Sequence, residues 1–178
     1  YSEKLVRLPG LSTCYARPTS PQAQDRARFG FTPGRTVYLC PQSLFKLHPT
    51  YDAMLGAILA GDPNAEIALL AGGQRRWTEL LRARFARSLP REAVERIRFV
   101  PRVAPDDFLA LLASADVILD PTIFCGGNTT LESLAMGTPV VTLPSPHLRG
   151  RLTLAMYRRM EFLELVAQDA DDYVRIAL

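Results

Sequence analysis

The residues best equipped for chemistry lie in one stretch, which reads Cys125-Gly126-Gly127-Asn128-Thr129-Thr130-Leu131-Glu132. Gly126 and Gly127 allow the main chain to come close to a ligand. Asn128, Thr129 and Thr130 open a predicted helix, whose free N–H groups and dipole favour an anion. The two Thr hydroxyls add donors for phosphate oxygens. Glu132 falls within the first turn or so of the same helix. A carboxylate beside a phosphate site is electrostatically out of place unless it has another task, such as accepting hydrogen bonds from ribose hydroxyls. Together these residues suit a nucleoside diphosphate. The plain structural alternative is a Gly-rich loop and an Asn-capped helix, with Glu132 set against the N-terminal dipole. The continuation Leu131-Glu132-Ser133-Leu134-Ala135, then Gly137-Thr138-Pro139-Val140-Val141, weighs for function.

The elements that must position this loop are legible as alternating apolar runs and amphipathic stretches. Short β-rich or buried-strand runs are Thr36–Cys40, Glu66–Ala71, Ile97–Val100, Asp116–Asp120 and Pro139–Leu143. Helical spacing is predicted over Pro49–Ala60, Arg76–Ser88, Asp106–Ala113 with an Asp cap, and Asn128–Met136 closing at Gly137. Further helices are expected at about Leu148–Arg158, at Glu161–Ala167 and from Asp171 onward. Repeated β-then-α units imply an α/β, Rossmann-like doubly wound parallel sheet. Continuous Val/Ile/Leu strands fit a sheet covered on both faces. Residues 1–35, punctuated by Pro9, Gly10, Pro18, Pro21, Gly30, Pro33 and Gly34, read as a linker or interdomain segment before a ligand-binding domain over 36–178. In such a sheet ligands bind beyond the carboxyl ends of the strands. The loops Pro41–Pro49 and Pro101–Asp106 therefore join the 121–132 stretch as places to look.

Composition narrows the class. The chain has 178 residues, 48% hydrophobic and 22% charged, which is ordinary for a globular domain with a real core. A net charge of +3 is too small to argue for nucleic acid. No apolar run is long enough to cross a membrane, and no leader pattern opens the chain. Residues 75–102 hold nine Arg against Glu79, Glu92 and Glu95, which reads as a solvated face. Lys4 and Lys46 are the only lysines among 21 basic residues, so a Lys retained at the mouth of a strand is telling. Cys14, Cys40 and Cys125 form no C-x-x-C, and His48 and His147 are too few and too distant for a metal site; a reducing cytoplasm fits best. The absence of an initiator Met points to a piece of a longer protein.

The 126–141 signature resembles the donor-binding signature of GT-B glycosyltransferases, in which a Gly-rich loop leads to a helix with an acidic ribose ligand and then to G-x-P-V-V. Further matches narrow the resemblance. Tyr1-Ser2-Glu3-Lys4-Leu5 with Pro9, Phe45-Lys46-Leu47-x-Pro49, Phe99-x-Pro101-x-Val103-Ala104-Pro105, Ala115-Asp116-Val117 and Leu163-Glu164-Leu165-Val166-Ala167 are, in order, similar to the catalytic region of the protein O-GlcNAc transferase family. Bacterial relatives of that family include cytoplasmic N-glucosyltransferases. The resemblance implies that Lys46 contacts the donor diphosphate and is needed for activity; a fixed cation stabilises the leaving group as the sugar–phosphate bond breaks. It implies a polar donor contact at Ser43 and pairing of the Val103-Ala104 backbone with uracil. The chain also departs from the family. His48 replaces an acidic residue and is read as packing or capping the next helix. Asp106 stands where animal members carry a basic residue. Asn128 replaces a His, and the gap to Glu132 differs by one.

The resemblance thus implies the C-terminal half of a GT-B glycosyltransferase that binds a UDP-sugar through Ser43, Lys46, Val103, Ala104, Gly126, Gly127, Asn128, Thr129, Thr130 and Glu132. A hexose or N-acetylhexosamine would pass to a protein acceptor, with inversion, no metal and no other cofactor, and with the acceptor held by a missing N-terminal half. No nucleic-acid or membrane partner is expected. The alternatives are another GT-B enzyme such as a sugar-nucleotide epimerase, for which no carboxylate pair stands out, and a non-catalytic interaction domain, against which the joint presence of Lys46 and Glu132 argues. A dehydrogenase is disfavoured because no G-x-G-x-x-G follows the first strand. A Cys125 nucleophile is disfavoured because no His lies near it in sequence.

Overall fold

The computed structural model describes residues 2, 4, 6, 10, 11, 13–19 and 26–178. Tyr1, Glu3, Leu5, Pro9 and Pro21 lie outside the described residues. A five-stranded, all-parallel sheet is formed by β1 (Thr36–Cys40), β2 (Ala65–Leu70), β3 (Ile97–Val100), β4 (Val117–Leu119) and β5 (Val140–Val141) in the order β3-β2-β1-β4-β5. The helices are α1 (Thr50–Gly61), α2 (Arg75–Ser88), α3 (Arg91–Val94), α4 (Pro105–Ala113), α5 (Asn128–Ala135), α6 (Leu152–Met160) and α7 (Ala170–Ala177).

Strand alternation divides the core into two layers. Tyr38, Cys40, Ile67, Leu69, Leu119 and Val141 face one layer, built with α1, α2 and α7. Val37, Leu39, Ala68, Val100, Ile118 and Val140 face the other, built with α4 and α6. Because both faces are covered, the strands carry apolar residues at most positions rather than at alternate ones. Each fully buried aliphatic side chain contributes about 1.5–3 kcal/mol, so these two layers dominate the stability.

Ahead of β1, Arg26–Phe29 forms a short 3-10 helix, and Phe29 and Phe31 bury against the second layer. Arg26 clasps Asp116 at 2.7 and 2.9 Å, and Asp116 also accepts the Val37 N–H at 2.8 Å. Burial pushes the Asp116 carboxyl up, but these two partners outweigh it and hold the group below its ordinary value. Several arginines of the Arg-rich run are paired within the chain, Arg75 and Arg91 in exposed pairs. Arg84 pairs with Asp52, Arg98 with Glu66, Arg75 with Glu79 and Arg91 with Glu95, while Arg96 caps the carbonyls at the end of α1.

Three local expectations are corrected. The helix predicted at Glu161–Ala167 does not form: Glu161 closes α6 in the left-handed region (φ 57°), and the chain then makes a turn closed by Val166 N–H to Leu163 O (3.0 Å) before a single parallel bridge from Val166 to Thr142, just past β5. There Thr142 N–H donates to Leu165 O (3.1 Å) and Ala167 N–H to Thr142 O (2.8 Å), so pairing with an open sheet edge replaces intrahelical bonds. The helix expected from Leu148 is a 3-10 turn, Leu148–Gly150, before α6 begins at Leu152. No Asp caps α4: Ala104 occupies the cap and Pro105 the first turn, where its fixed φ suits a helix start.

Candidate functional site

The strand order places a topological switch point between β1 and β4, from which the chain winds one way to β2 and β3 and the other way to β5. The crevice outside the carboxyl ends of these strands is where an open α/β sheet accepts a ligand. Both loops that border it are shaped by packing. After β1, Leu44 and Leu47 are buried and a 3-10 turn spans Leu44–Lys46, so Phe45 is thrown outward (66% exposed) and Lys46 lies half-buried at the rim. The Lys46 ammonium donates to Gln42 Oε1 (2.8 Å) and Cys125 O (3.4 Å) and sits 4.3 Å from the Phe124 ring centroid. Burial lowers its pKa, and the nearby Asp120 charge opposes that shift.

After β4 the chain turns on Asp120, which is buried. One carboxylate oxygen accepts the Gly126 N–H at 2.6 Å, and the other accepts the Thr142 hydroxyl at 2.8 Å. Burial raises the Asp120 pKa, and these donors offset part of that rise. The loop leads into α5 with Gly127 as its cap residue, so Asn128 is in the first turn and no side chain caps the helix. Thr130 and Leu131 N–H groups both converge on Gly127 O (3.1 and 3.2 Å), leaving the Asn128 and Thr129 N–H groups as the helix's open end.

Through Gln42 and the Cys125 carbonyl, Lys46 is therefore joined across the switch point to the Gly126-Gly127-Asn128-Thr129 turn that opens α5. Thr130 does not join them: it is buried, and its hydroxyl bonds Thr153 at 3.1 Å, so it braces α5 against α6. Of the two glycines, only Gly126 is demanded by sterics. A Cβ there would collide with the Thr130 hydroxyl and stand 2.9 Å from both Gln42 Nε2 and Thr129 Oγ1, whereas at Gly127 it would meet only Leu152, at 3.7 Å.

A cleft of about 360 Å³ continues the crevice across the ends of β1, β2 and β3, lined among others by Ser43, Gly72, Trp77, Val103, Phe108 and Glu132. The Ala104 carbonyl accepts the Phe108 N–H at 2.8 Å, so that carbonyl is committed to the start of α4. Phe108 is half-buried, leaning on the core while one side lines the cleft. Burial raises the Glu132 pKa. Glu132 also walls a second cavity, of about 400 Å³, enclosed between residues 13–18 and the α5 residues Asn128, Leu131 and Ala135. His48 bonds the Thr50 hydroxyl (2.9 Å) and accepts the Thr50 N–H (3.3 Å), which makes it a cap for α1. Cys125 is buried, its sulfur accepts the Leu152 N–H at 3.2 Å, and burial raises its pKa; it is an inert packing thiol.

Sequence reasoning missed Gln42, Asp120, the Gly72-Gly73 turn and Trp77. An acid closing an apolar strand (DVILD) and a Gly pair following one (EIALLAGG) were the available signals for two of them. Gln42 gave none. Among the described residues, no group of three or more His, Cys, Asp or Glu is gathered as metal ligands would be, and no helix is long and apolar enough to cross a membrane. The cleft sets Val103 and Phe108 near the Glu132 carboxylate and runs to Gln42 and Ser43, at the start of the loop that carries Lys46.

The chain is similar to known proteins in sequence and in fold. The probable UDP-N-acetylglucosamine–peptide N-acetylglucosaminyltransferase SPINDLY of Petunia hybrida is 28% identical over 99% of this chain, which spans 19% of that relative's length. An O-GlcNAc transferase variant of Thermobaculum terrenum superposes with a TM-score of 0.74 at 31% identity, covering 84% of this chain and 29% of that one. A sucrose-phosphate synthase of Thermosynechococcus elongatus matches with a TM-score of 0.59 at 19% identity over 85% of this chain and 37% of its own, a likeness of fold alone. The family model described as glycosyl transferase family 41 matches residues 10–178, and the chain belongs to that family.

Proposed function

We propose that this chain is the donor-binding half of a protein glycosyltransferase, taking a UDP-sugar and surrendering its hexose or N-acetylhexosamine to a protein side chain. The observation that carries this reading is the meeting of Lys46 with the open end of α5 across the switch point, with Glu132 one turn further on. The uracil edge pairs with the Val103-Ala104 peptides, the ribose hydroxyls donate to Glu132, and the diphosphate lies between Lys46 and the Asn128 and Thr129 N–H groups, with Ser43 beside it. As the acceptor attacks the anomeric carbon from the face opposite the phosphate, the bond from that carbon to the β-phosphate oxygen breaks. The electron pair leaves on UDP, and the ammonium and the helix N-terminus stabilise the charge that develops there. This gives inversion and asks no metal to neutralise the leaving group. The acceptor is held, and any base supplied, by parts of the protein beyond this chain, so the chain alone binds donor without turning it over. The cysteine usage fits a cytoplasmic setting.

Calorimetric titration with UDP, with ADP and GDP as controls, tests the reading. Selective UDP binding is expected. Lys46→Ala should weaken it about a hundredfold, because a charge-assisted contact to each of two phosphates is lost, while the thermal unfolding profile stays that of the parent. Equal binding of the three nucleotides would refute the uridine assignment, and unchanged affinity in Lys46→Ala would remove Lys46 from the diphosphate site.

A further inference from the structure

We propose that Gln42 is a positioning residue: its amide fixes the Lys46 ammonium and dictates the direction in which the Thr129 hydroxyl donates. This rests on the reading of the crevice as a diphosphate site. Gln42 follows β1 directly and is only 4% exposed. Its Oε1 accepts from Lys46 Nζ at 2.8 Å, and its Nε2 donates to Thr129 Oγ1. Its amide hydrogen-bonds both Lys46, on the β1 loop, and Thr129, in the first turn of α5.

The chemistry of the two neighbours settles the orientation of the amide. An ammonium has donors and no acceptor, so it must face the amide oxygen. The NH2 group then faces Thr129. Turning the amide over would set its NH2 against the ammonium, two donors with nothing between them. A hydroxyl that accepts from an amide must send its own hydrogen elsewhere. Thr129 is half-exposed beside Asn128 at the open end of α5, so its O–H points its donor capacity into the crevice. Lys46, Gln42 and Thr129 form a directed chain of donors that ends at the place the anion occupies. The fit is close: a Cβ on Gly126 would stand 2.9 Å from Gln42 Nε2, so the loop has no side chain where the amide must pass.

Two nearly isosteric variants of the 178-residue chain separate this role from packing. Gln42→Met keeps the volume and removes both hydrogen bonds. Gln42→Glu keeps the shape, but its carboxylate accepts from Lys46 and from the Thr129 O–H, turning that hydroxyl away from the ligand and adding a negative charge. Lys46 is one of only two lysines, so its side-chain carbon signals can be followed by NMR through a pH titration. The Lys46 pKa is expected to fall in Gln42→Met and rise in Gln42→Glu. Affinity for inorganic pyrophosphate and for UDP is expected to fall about tenfold in Gln42→Met and further in Gln42→Glu. A residue that merely fills space would not move the Lys46 pKa in opposite directions while weakening the anion in both variants. Shifts of one sign, or unchanged pyrophosphate affinity in both folded variants, would overturn the assignment. Wild-type protein that binds pyrophosphate as well as it binds UDP would refute the uridine reading alone, with the Gln42 role still decided by the variants. Wild-type protein that binds neither would overturn both.

Discussion

Asp120 offers the most demanding test of how the site is held. It is 1% exposed and takes hydrogen bonds from the Gly126 N–H and from the Thr142 and Thr153 hydroxyls. Desolvation pushes its pKa up by more than those donors pull it down, so in the folded state the charge is a net cost at neutral pH. Asp120→Asn removes the charge and keeps the shape: the amide oxygen still accepts from Gly126, and the NH2 donates to Thr142. The expectation is that Asp120→Asn is as stable as the parent at pH 7, or more so. Asp120→Ala strands the buried Gly126 N–H and leaves a small cavity, which together cost about 2–4 kcal/mol. Against a total of about 5–15 kcal/mol, that is a large share, lowering Tm by roughly 4–16 °C. Urea denaturation of the three proteins, read as midpoints at constant slope, measures both differences. The pH dependence has a definite sign. A carboxyl whose folded pKa is raised gives stability that is fully present below its unfolded value and lost as pH rises through the folded one. The parent should therefore gain on Asp120→Asn as pH falls from neutrality towards the ordinary carboxylate value of 3.8. A loss in Asp120→Asn as large as that in Asp120→Ala at pH 7, or a parent that loses ground to Asp120→Asn on acidification, would refute the reasoning.

Glu132 and Arg84 give two further tests. Burial raises the Glu132 pKa above its ordinary 4.5, and the proposed ribose contact requires the ionised form as acceptor. Uridine, which carries no phosphate to titrate, should bind with constant affinity at neutral pH and lose it as pH falls through that raised value; Glu132→Gln should bind uridine about tenfold more weakly, with no such pH dependence and no change towards pyrophosphate. Arg84 spans Asp52 with two bonds of 2.8 and 2.9 Å and donates to Leu47 O at 2.9 Å, which anchors the turn that carries Lys46. Arg84→Ala leaves a carboxylate whose side chain is 4% exposed without its counter-ion and should cost about 3–5 kcal/mol in urea denaturation, while Arg84→Met combined with Asp52→Leu should recover most of it.

The sheet was legible because its strands are short apolar runs between turns, a pattern that only a doubly covered parallel sheet explains. The misreadings have a common cause. Glu161–Ala167 has apolar residues at helical spacing, yet their partner is the β5 edge, a long-range choice that no local pattern records. Thr130 was counted among anion donors from its place beside Thr129, but one residue along a helix is a turn of about 100°, enough to move a hydroxyl from the crevice to the α6 contact. Lys46 was conspicuous by its rarity among arginines. Gln42 was invisible, since its role exists only when the loops after β1 and β4 are brought together, and a lone Gln after a strand has no spacing to betray it.

The buried polar groups behind the crevice form a connected set, and their arrangement explains why the site sits so firmly on the sheet. Tyr173 of α7 donates to the main-chain carbonyl of Asp120 at 3.1 Å, and its hydroxyl meets that of Tyr51 in α1 at 2.8 Å. Asp120 in turn holds Gly126, and Gly126 leaves room for Gln42 between Lys46 and Thr129. The path runs from two helices on one face, through the sheet, to the loop that faces the ligand. A core of aliphatic groups alone would stabilise the fold at least as well, since a buried polar set only stays neutral when every member is satisfied. What the polar set adds is direction. Each hydrogen bond fixes which way its neighbour points, and a leaving group is stabilised best by donors already aimed before charge develops. The net cost of the buried Asp120 charge is therefore consistent with a site kept for its geometry rather than for its stability.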